Sequence, residues 1–376
     1  MPLNALSGRR VLDLSQYLPG PYATRMLADL GARVLKIEPL AGDPMRTLPP
    51  LDADGVSLPY KAINRNKATL RLDLKTAAGR EAFERLLRSA DVLLESFRPG
   101  VLARLGFPKD RVREIAPRLV HCALTGYGQD GPMTATPGHD ATYMALMGGL
   151  AASGTEAGPV LAFPPVADHA AALHAALCIL AALLARENTG RGAFLDVSIA
   201  EAVLPWQQFA LSAADLEGTD IARRCHTLNG GAACYQVYAT KDGRFAVLGA
   251  IEEKFWRNFC AAAGRPDWVS RQSEPLPQEA LIAELRACFA SATLAEWEAR
   301  LADAECCFQA VTPAGALAAH PQIRARGFLQ KATQDGRTFT EVLFPARADG
   351  QAPKARKAWR EIGLEDAFRA WETEAP

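Results

Sequence analysis

The chain has 376 residues, with 42 Lys+Arg balanced by 42 Asp+Glu and 49% hydrophobic residues. That length allows two domains or one large one, and the neutral balance excludes a dedicated nucleic-acid binder, whose basic footprint would show in the total. Eight cysteines lie at irregular spacing with no C-x-x-C, so they read as reduced, mostly buried thiols of a cytoplasmic protein and not as metal ligands or a disulfide framework. The start, MPLNALSGRRVLDLS, has neither the cationic-then-apolar pattern of an export signal nor an Arg/Ser-rich amphipathic presequence.

In chain order, Arg10 to Leu14 is a short apolar strand, Pro21 opens a helical stretch that Gly31 ends, and Arg33 to Glu38 is the next strand. A strand over Ala68 to Leu74, a helix over about Thr76 to Ser89, and strands over Asp91 to Phe97 and Leu119 to Thr125 continue the pattern. Strands alternating with helices predict an α/β fold whose parallel sheet is covered on both faces. The apolar run Ala170 to Ala185, about 16 residues with His174 inside it, is shorter than the roughly 20 residues that span a bilayer and predicts a buried helix, so no membrane segment is expected. Ala193 to Ile199 adds a strand and Ala200 to Leu216 a helix. Tyr235 to Thr240 and Arg244 to Ala250 flank Lys241-Asp242-Gly243, a hairpin signal because Asp-Gly tolerates the positive φ of a tight turn. A helix from Lys254 stops at Gly264. The expected organisation is a large domain over residues 1–200, a linker over 201–228, a smaller α+β domain over 229–325, and a segment over 326–376 that returns to the large domain. That last segment is basic (Lys354, Arg356, Lys357, Arg360) and ends in the helical GLEDAFRAWE.

Several chemistries have no motif here: no G-x-x-x-x-G-K-[ST] for phosphates, no H-E-x-x-H, no G-x-S-x-G and no spaced dinucleotide fingerprint. Among the carboxylates, Asp168 follows Pro164-Pro165-Val166-Ala167 and precedes the apolar helix, an N-cap position. A cap there contributes roughly 0.5–2 kcal/mol and is the reading the residues alone favour, although a carboxylate held ionised at a buried helix end is also available as a nucleophile or base. His139, in Pro137-Gly138-His139-Asp140, sits just outside a helix that Asp140 is expected to cap; an imidazole there is able to move protons near neutral pH. Glu252 follows the second hairpin strand, where a carboxylate serves either the first-turn electrostatics of a helix or ligand contact. Residues 1–110 hold 17 Lys+Arg against 12 Asp+Glu, a local excess of 5. Of the clustered cations Arg46, Arg65, Lys67, Arg71, Lys75, Arg98 and Arg104, most read as solvated faces. A subset at strand ends, such as Arg98, suits the phosphates of an anionic ligand.

Several long blocks resemble the class III CoA-transferase family, which includes formyl-CoA and carnitine CoA-transferases and the α-methylacyl-CoA racemases. They are VLDLSQYLPGPYATRMLADLGARVLKIEP, NRNKATLRLDLKTAAGR, ADVLLESFRPGVLARLGF, LTGYGQDGP with PGHDATYMALMGG, TGRGAFLDVSIAEA, and NGGAACYQVYATKDGRFAVLGAIEEKF in the small domain. The resemblance implies a Rossmann-like large domain with a smaller α+β domain, an interlocked homodimer, an acyl-CoA substrate, and no metal or cofactor beyond CoA itself. It places Lys75, Phe97, Arg98 and Arg104 where the family contacts CoA. It places Asp168 at the transferase nucleophile, which the racemases keep as an acid/base beside the His of G-H-D, here His139, and the Glu of G-A-I-E, here Glu252. The Gln that formyl-CoA transferases carry before their first G-P is Leu18 here, and their run of four glycines is Asn229-Gly230-Gly231-Ala232. The racemase G-D-F-G is replaced by Ala167-Asp168-His169. The expected activity is racemisation of a 2-methylacyl-CoA by 1,1-proton transfer. The alternative is CoA transfer to a free carboxylic acid through an aspartyl-CoA thioester on Asp168. A non-catalytic acyl-CoA-binding protein is a third reading, disfavoured by the presence of all three proton-transfer side chains.

Overall fold

The computed structural model describes residues 4–334, 336–353 and 355–372, so the expected tail residue Lys354 lies outside the described residues. In chain order the elements begin β1 (Arg10–Leu14), α1 (Pro19–Asp29), β2 (Arg33–Glu38), α2 (Leu58–Ile63), β3 (Lys67–Arg71), α3 (Ala77–Leu87), β4 (Val92–Glu95), α4 (Val101–Arg104), α5 (Lys109–Ile115) and β5 (Val120–Thr125). Next come α6 (Asp140–Leu146), α7 (Val166–Thr189), β6 (Ala193–Ser198) and α8 (Gln208–Glu217). Then follow β7 (Tyr235–Ala239), β8 (Phe245–Gly249), α9 (Glu253–Ala262), α10 (Glu279–Phe289), α11 (Leu294–Leu301) and β9 (Phe308–Ala310). The chain ends with α12 (Pro321–Arg326), β10 (Leu329–Gln334), β11 (Arg337–Val342), β12 (Arg360–Glu361) and α13 (Leu364–Glu372).

Contacts divide the chain into a first unit, residues 1–147, 163–205 and 318–376, and a second, residues 148–162 and 206–317. Residues 206–228, expected as a linker, go with the second unit, as does the excursion 148–162, which no sequence signal separated from the first.

In the first unit seven parallel strands form one sheet in the order β12-β3-β2-β1-β4-β5-β6. The run β3-β2-β1-β4-β5-β6 is the doubly wound order, whose ligands bind outside the carboxyl ends of the strands where the order reverses, here between β1 and β4. Helices cover both faces, which is why the strands read as near-continuous apolar runs: β4 and β5 are buried along their whole length. α7 carries Ala167, Ala170, Ala171, Ala172, Ala175 and Ala176 buried on one side, small side chains that let it approach closely. By length and apolar character α7 also passes for a membrane span; its Arg186 is buried and ion-paired with Asp91 at 2.6 Å, and one side packs on α1, β5 and β6, whereas the buried helix expected here leaves its other side exposed.

The C-terminal residues complete the sheet. Arg360 pairs with Ala68, the Trp371 indole N–H donates to the Leu86 carbonyl at 2.9 Å, and Phe368 and Trp371 join the core built on Phe83, Leu86 and Phe107. The hairpin β10–β11 was not among the expected elements. The expected helix over Ala200 to Leu216 is instead a 3₁₀ stretch, Glu201–Gln207, followed by α8. Pro205 lies inside that stretch and lacks the N–H a continuous α-helix would need.

Three expected surface cations are buried. Lys67 meets Asp13 at 3.1 Å, Arg46 meets Glu38 at 2.7 Å, and Arg65 meets Glu341 at 2.9 Å. Burial pushes the Asp13 carboxyl up, but Lys67, Lys36 and the Ser15 and Thr24 hydroxyls outweigh it and hold Asp13 well below the usual carboxylate range.

The second unit is α+β. β7, β8 and β9 form an antiparallel sheet, and Gly243 at φ 71° makes the expected tight turn. Its core is aromatic: Tyr238 stacks on Phe289 at 4.6 Å between ring centres, with Trp256, Trp268 and Trp297 fully buried around them.

Candidate active site at the carboxyl edge of the sheet

The loops that leave β1 and β4 at the reversal point are tied together. The Gln16 N–H donates to Ser96 Oγ at 3.1 Å and the Tyr17 N–H to Asp43 Oδ1 at 3.3 Å. These bonds hold Tyr17 at φ 60°, a left-handed conformation that costs a non-glycine residue about 1–3 kcal/mol. Its ring stands edge-on to the His139 imidazole, 6.3 Å between centres. His139 caps α6, the role expected of Asp140: its N–H donates to Thr142 Oγ1 at 3.0 Å and its carbonyl accepts from the same hydroxyl at 2.7 Å. The preceding Gly138 is required by space, since a Cβ there would come within 2.5 Å of the Tyr143 ring.

Asp168 does not cap α7. The helix starts at Val166, with Pro165 in the cap position, and this makes Asp168 the third helical residue. Its carboxylate therefore gains no capping N–H bonds, and the expectation of a carboxyl stabilised in its ionised form is overturned. Burial pushes Asp168 up, the neighbouring Asp140 adds to it, and His169 and His139 only partly compensate, leaving it at about 6. Asp140 is the first residue of α6, and its Oδ1 accepts the Asp168 N–H at 3.1 Å. The first turns of α6 and α7 are thereby joined, with His139 near enough to Asp168 to influence its ionisation. Glu252, half-in at the start of α9 and exposed, belongs to the second unit.

The four residues expected to contact CoA all lie in the first unit. Lys75 follows β3, its backbone N–H donating to Asp73 Oδ1 at 3.0 Å. Arg98 follows β4, and Arg104 closes the short α4; all three cationic side chains are exposed. Phe97 is half-buried against the core. A set of guanidinium and ammonium groups at the carboxyl edge of a parallel sheet is what phosphates require. A cavity of about 730 Å³ lies at the opposite edge of the sheet, lined by Arg33, Ala68, Lys357 and Trp371, and holds none of these residues. Among the described residues no group of three or more His, Cys, Asp or Glu is arranged to hold a metal ion.

Sequence reasoning passed over Glu95, the last residue of β4. It is buried, and its carboxylate accepts the Phe97 N–H at 2.7 Å, anchoring the loop that carries Phe97 and Arg98. Burial, more than the Asp196 charge, pushes Glu95 up to about 7 against the pull of that N–H. A carboxyl raised on folding contributes most while protonated; stability falls as pH climbs from about 4.5 through about 7 and is level above, a span of about 3 kcal/mol. Glu95→Gln keeps an acceptor for Phe97 and removes the charge. The variant is expected to gain stability over the parent at pH 8 and to lose that advantage at pH 5, read as denaturant midpoints. An equal difference at both pH values would show that Glu95 does not titrate in this range.

Comparison with known proteins gives the same chain-wide picture. The sequence profile described as CoA-transferase family III matches residues 6–360. Human succinyl-CoA:glutarate CoA-transferase is 35% identical over 269 residues, 71% of this chain and 61% of the relative, so the match spans less than two thirds of that protein. Human alpha-methylacyl-CoA racemase is 32% identical over 335 residues, 88% of this chain and 84% of the relative. A CAIB/BAIF family protein from Brucella suis superimposes with a TM-score of 0.83 at 26% identity, covering 97% of this chain and 98% of that one.

Proposed function

The chain belongs to CoA-transferase family III, and from that premise we propose that it inverts the α-carbon of a 2-methylacyl-CoA by 1,1-proton transfer. The observation that carries this reading is the bond from the Asp168 N–H to Asp140 Oδ1, which joins the start of α6, capped by His139, to the first turn of α7. One group removes the proton from one face of the α-carbon, leaving the thioester enolate; the other returns a proton to the opposite face, and the pair ends with its proton exchanged. A carboxyl at about 6 suits this work, being close enough to neutral pH both to take and to give a proton. Arg98, Arg104 and Lys75 receive the CoA phosphates and Phe97 an apolar part of the ligand. The resemblance assigns Glu252 the support of His139, and that assignment is part of the proposal. Two side chains suffice for the proton shuttle, so CoA enters as part of the substrate and no further cofactor is invoked.

The test is incubation of (2R)-2-methylacyl-CoA in deuterated water. Deuterium at C2 together with the (2S) epimer is expected; unexchanged substrate across a series of branched acyl-CoAs would sink the reading. The likeness to human succinyl-CoA:glutarate CoA-transferase favours a second reading. The Asp168 carboxylate attacks the thioester carbonyl and expels CoA as the thiolate. The thiolate then attacks the aspartyl carbonyl of the mixed anhydride, releasing the first acid and leaving an aspartyl-CoA thioester for the acceptor carboxylate. Hydroxylamine or borohydride trapping at Asp168 in the presence of acyl-CoA separates the two, since racemisation forms no covalent adduct.

We also propose that the chain works as a homodimer. On α7, Leu173, Leu177 and Leu184 are 52%, 63% and 72% exposed along one stripe, and no residue of α8 is buried. Apolar faces of this extent on a single chain mark an association surface. Light scattering after size exclusion is expected to give the mass of two chains, and Leu177→Asp with Leu184→Asp to abolish it because an unpaired charge would be buried. A monomeric parent would refute the assignment.

A further inference from the structure

The proton shuttle leaves one carboxylate at its centre without a task. Asp140 follows His139 directly, yet its side chain serves another element: Oδ1 accepts the N–H of Asp168 at 3.1 Å. That N–H is one of the donors at a helix start with no acceptor in its own helix, and any neutral oxygen would satisfy it. A carboxylate brings a negative charge beside a second carboxyl, an arrangement that costs energy unless the charge has a use. Asp140 is also the residue through which the backbones of His139 and Asp168 are held at one spacing.

We infer that Asp140 is a positioning residue for Asp168, holding the first turn of α7 against that of α6 and placing a fixed negative charge beside the reacting carboxyl. The inference rests on the reading of Asp168 as a proton-transfer group. The groups facing Asp168 are few enough to name: Asp140, His139 and Tyr143 from α6 and the residue before it, and His169 from α7, with Arg98 acting on Tyr143. Burial is the largest influence on Asp168 and Asp140 the next, while the two histidines oppose both. Removing the Asp140 charge therefore removes the largest single side-chain influence and leaves the burial in place. The direction follows: without Asp140, Asp168 holds its proton less tightly.

Asp140→Asn keeps an oxygen for the Asp168 N–H and removes the charge, whereas Asp140→Ala removes both. For Asp140→Asn the acid limb of kcat/KM against pH is expected to move to lower pH by about 1 unit, with activity at the optimum within about 3-fold of the parent. For Asp140→Ala the same displacement is expected with an added fall in kcat of about 10-fold and little change in KM, since the carboxyl is then misplaced. A tether without an electrostatic role would lower the melting temperature of Asp140→Ala and leave both limbs where they were. An acid limb unmoved in Asp140→Asn overturns the inference. Asp168→Asn run alongside separates the two failures: if it is inactive and the limb is unmoved, only the role of Asp140 falls, whereas if it is active the reading of Asp168 falls and the inference with it.

Discussion

Asp168→Asn is expected to lower kcat/KM for the acyl-CoA substrate by about 10²–10⁴-fold, the usual contribution of a positioned acid or base. Asparagine preserves size and removes the titrating group, so the fold should survive: the carboxylate makes no capping bond, and the bond from Asp140 goes to the backbone N–H at 3.1 Å. Stability is expected to rise slightly above about pH 6, where the parent carries an ionised carboxyl that burial disfavours. The pH profile of the parent adds a sharper test. Racemisation needs one group that carries a proton and one that does not, so its rate against pH is bell-shaped. CoA transfer needs only the Asp168 carboxylate and should rise through about pH 6 to a plateau. A retained kcat/KM in Asp168→Asn would remove this residue from the chemistry altogether.

His139→Ala carries the second large effect and distinguishes the two activities. Inversion is expected to fall by about 10²–10⁴-fold because protons then reach only one face of the α-carbon. Asp168 remains able to take and return the proton on its own face. One epimer should therefore still exchange its α-hydrogen for solvent deuterium without inverting, while the other exchanges slowly. Measuring exchange and inversion in the same sample, by mass and by chiral separation, reads both. Full inversion in the variant would show that His139 is not the partner of Asp168. Transferase activity unaffected by the change, with Asp168 trapped as an adduct, would place the chain with the second reading.

Much of the fold was legible because it is local. Strand lengths, the Asp-Gly hairpin turn and the alternation of strands with helices all appear at or within a few residues of their expected places. The parallel sheet follows from the continuous apolar runs at β4 and β5. The hairpin β10–β11 and the break at Pro205 were missed within segments read as a tail and as one helix.

For the site, His139, Asp168 and Glu252 and the four residues proposed to meet CoA were named as candidates from the chain, through the blocks that carry the resemblance. What the residues do in their surroundings could not. Asp168 read as a cap held ionised, and it is a half-buried third helical residue pushed up to about 6. Arg46, Arg65 and Lys67 read as solvated, and they are buried in ion pairs with Glu38, Glu341 and Asp13. Asp140 read as the cap of its own helix, and it holds the N–H of another. Glu95 drew no notice among apolar neighbours that hide it from water. The division has one physical cause. Periodicity and turns depend on residues a few positions apart, so the sequence by itself determined most of the elements and the family, and named the candidate reactive side chains. Desolvation and charge pairing depend on groups that reach from 8 positions apart, as in Arg46 with Glu38, to over 270, as in Arg65 with Glu341. Only the tertiary structure brings those together, and it alone showed which carboxyls burial pushes up toward neutral pH.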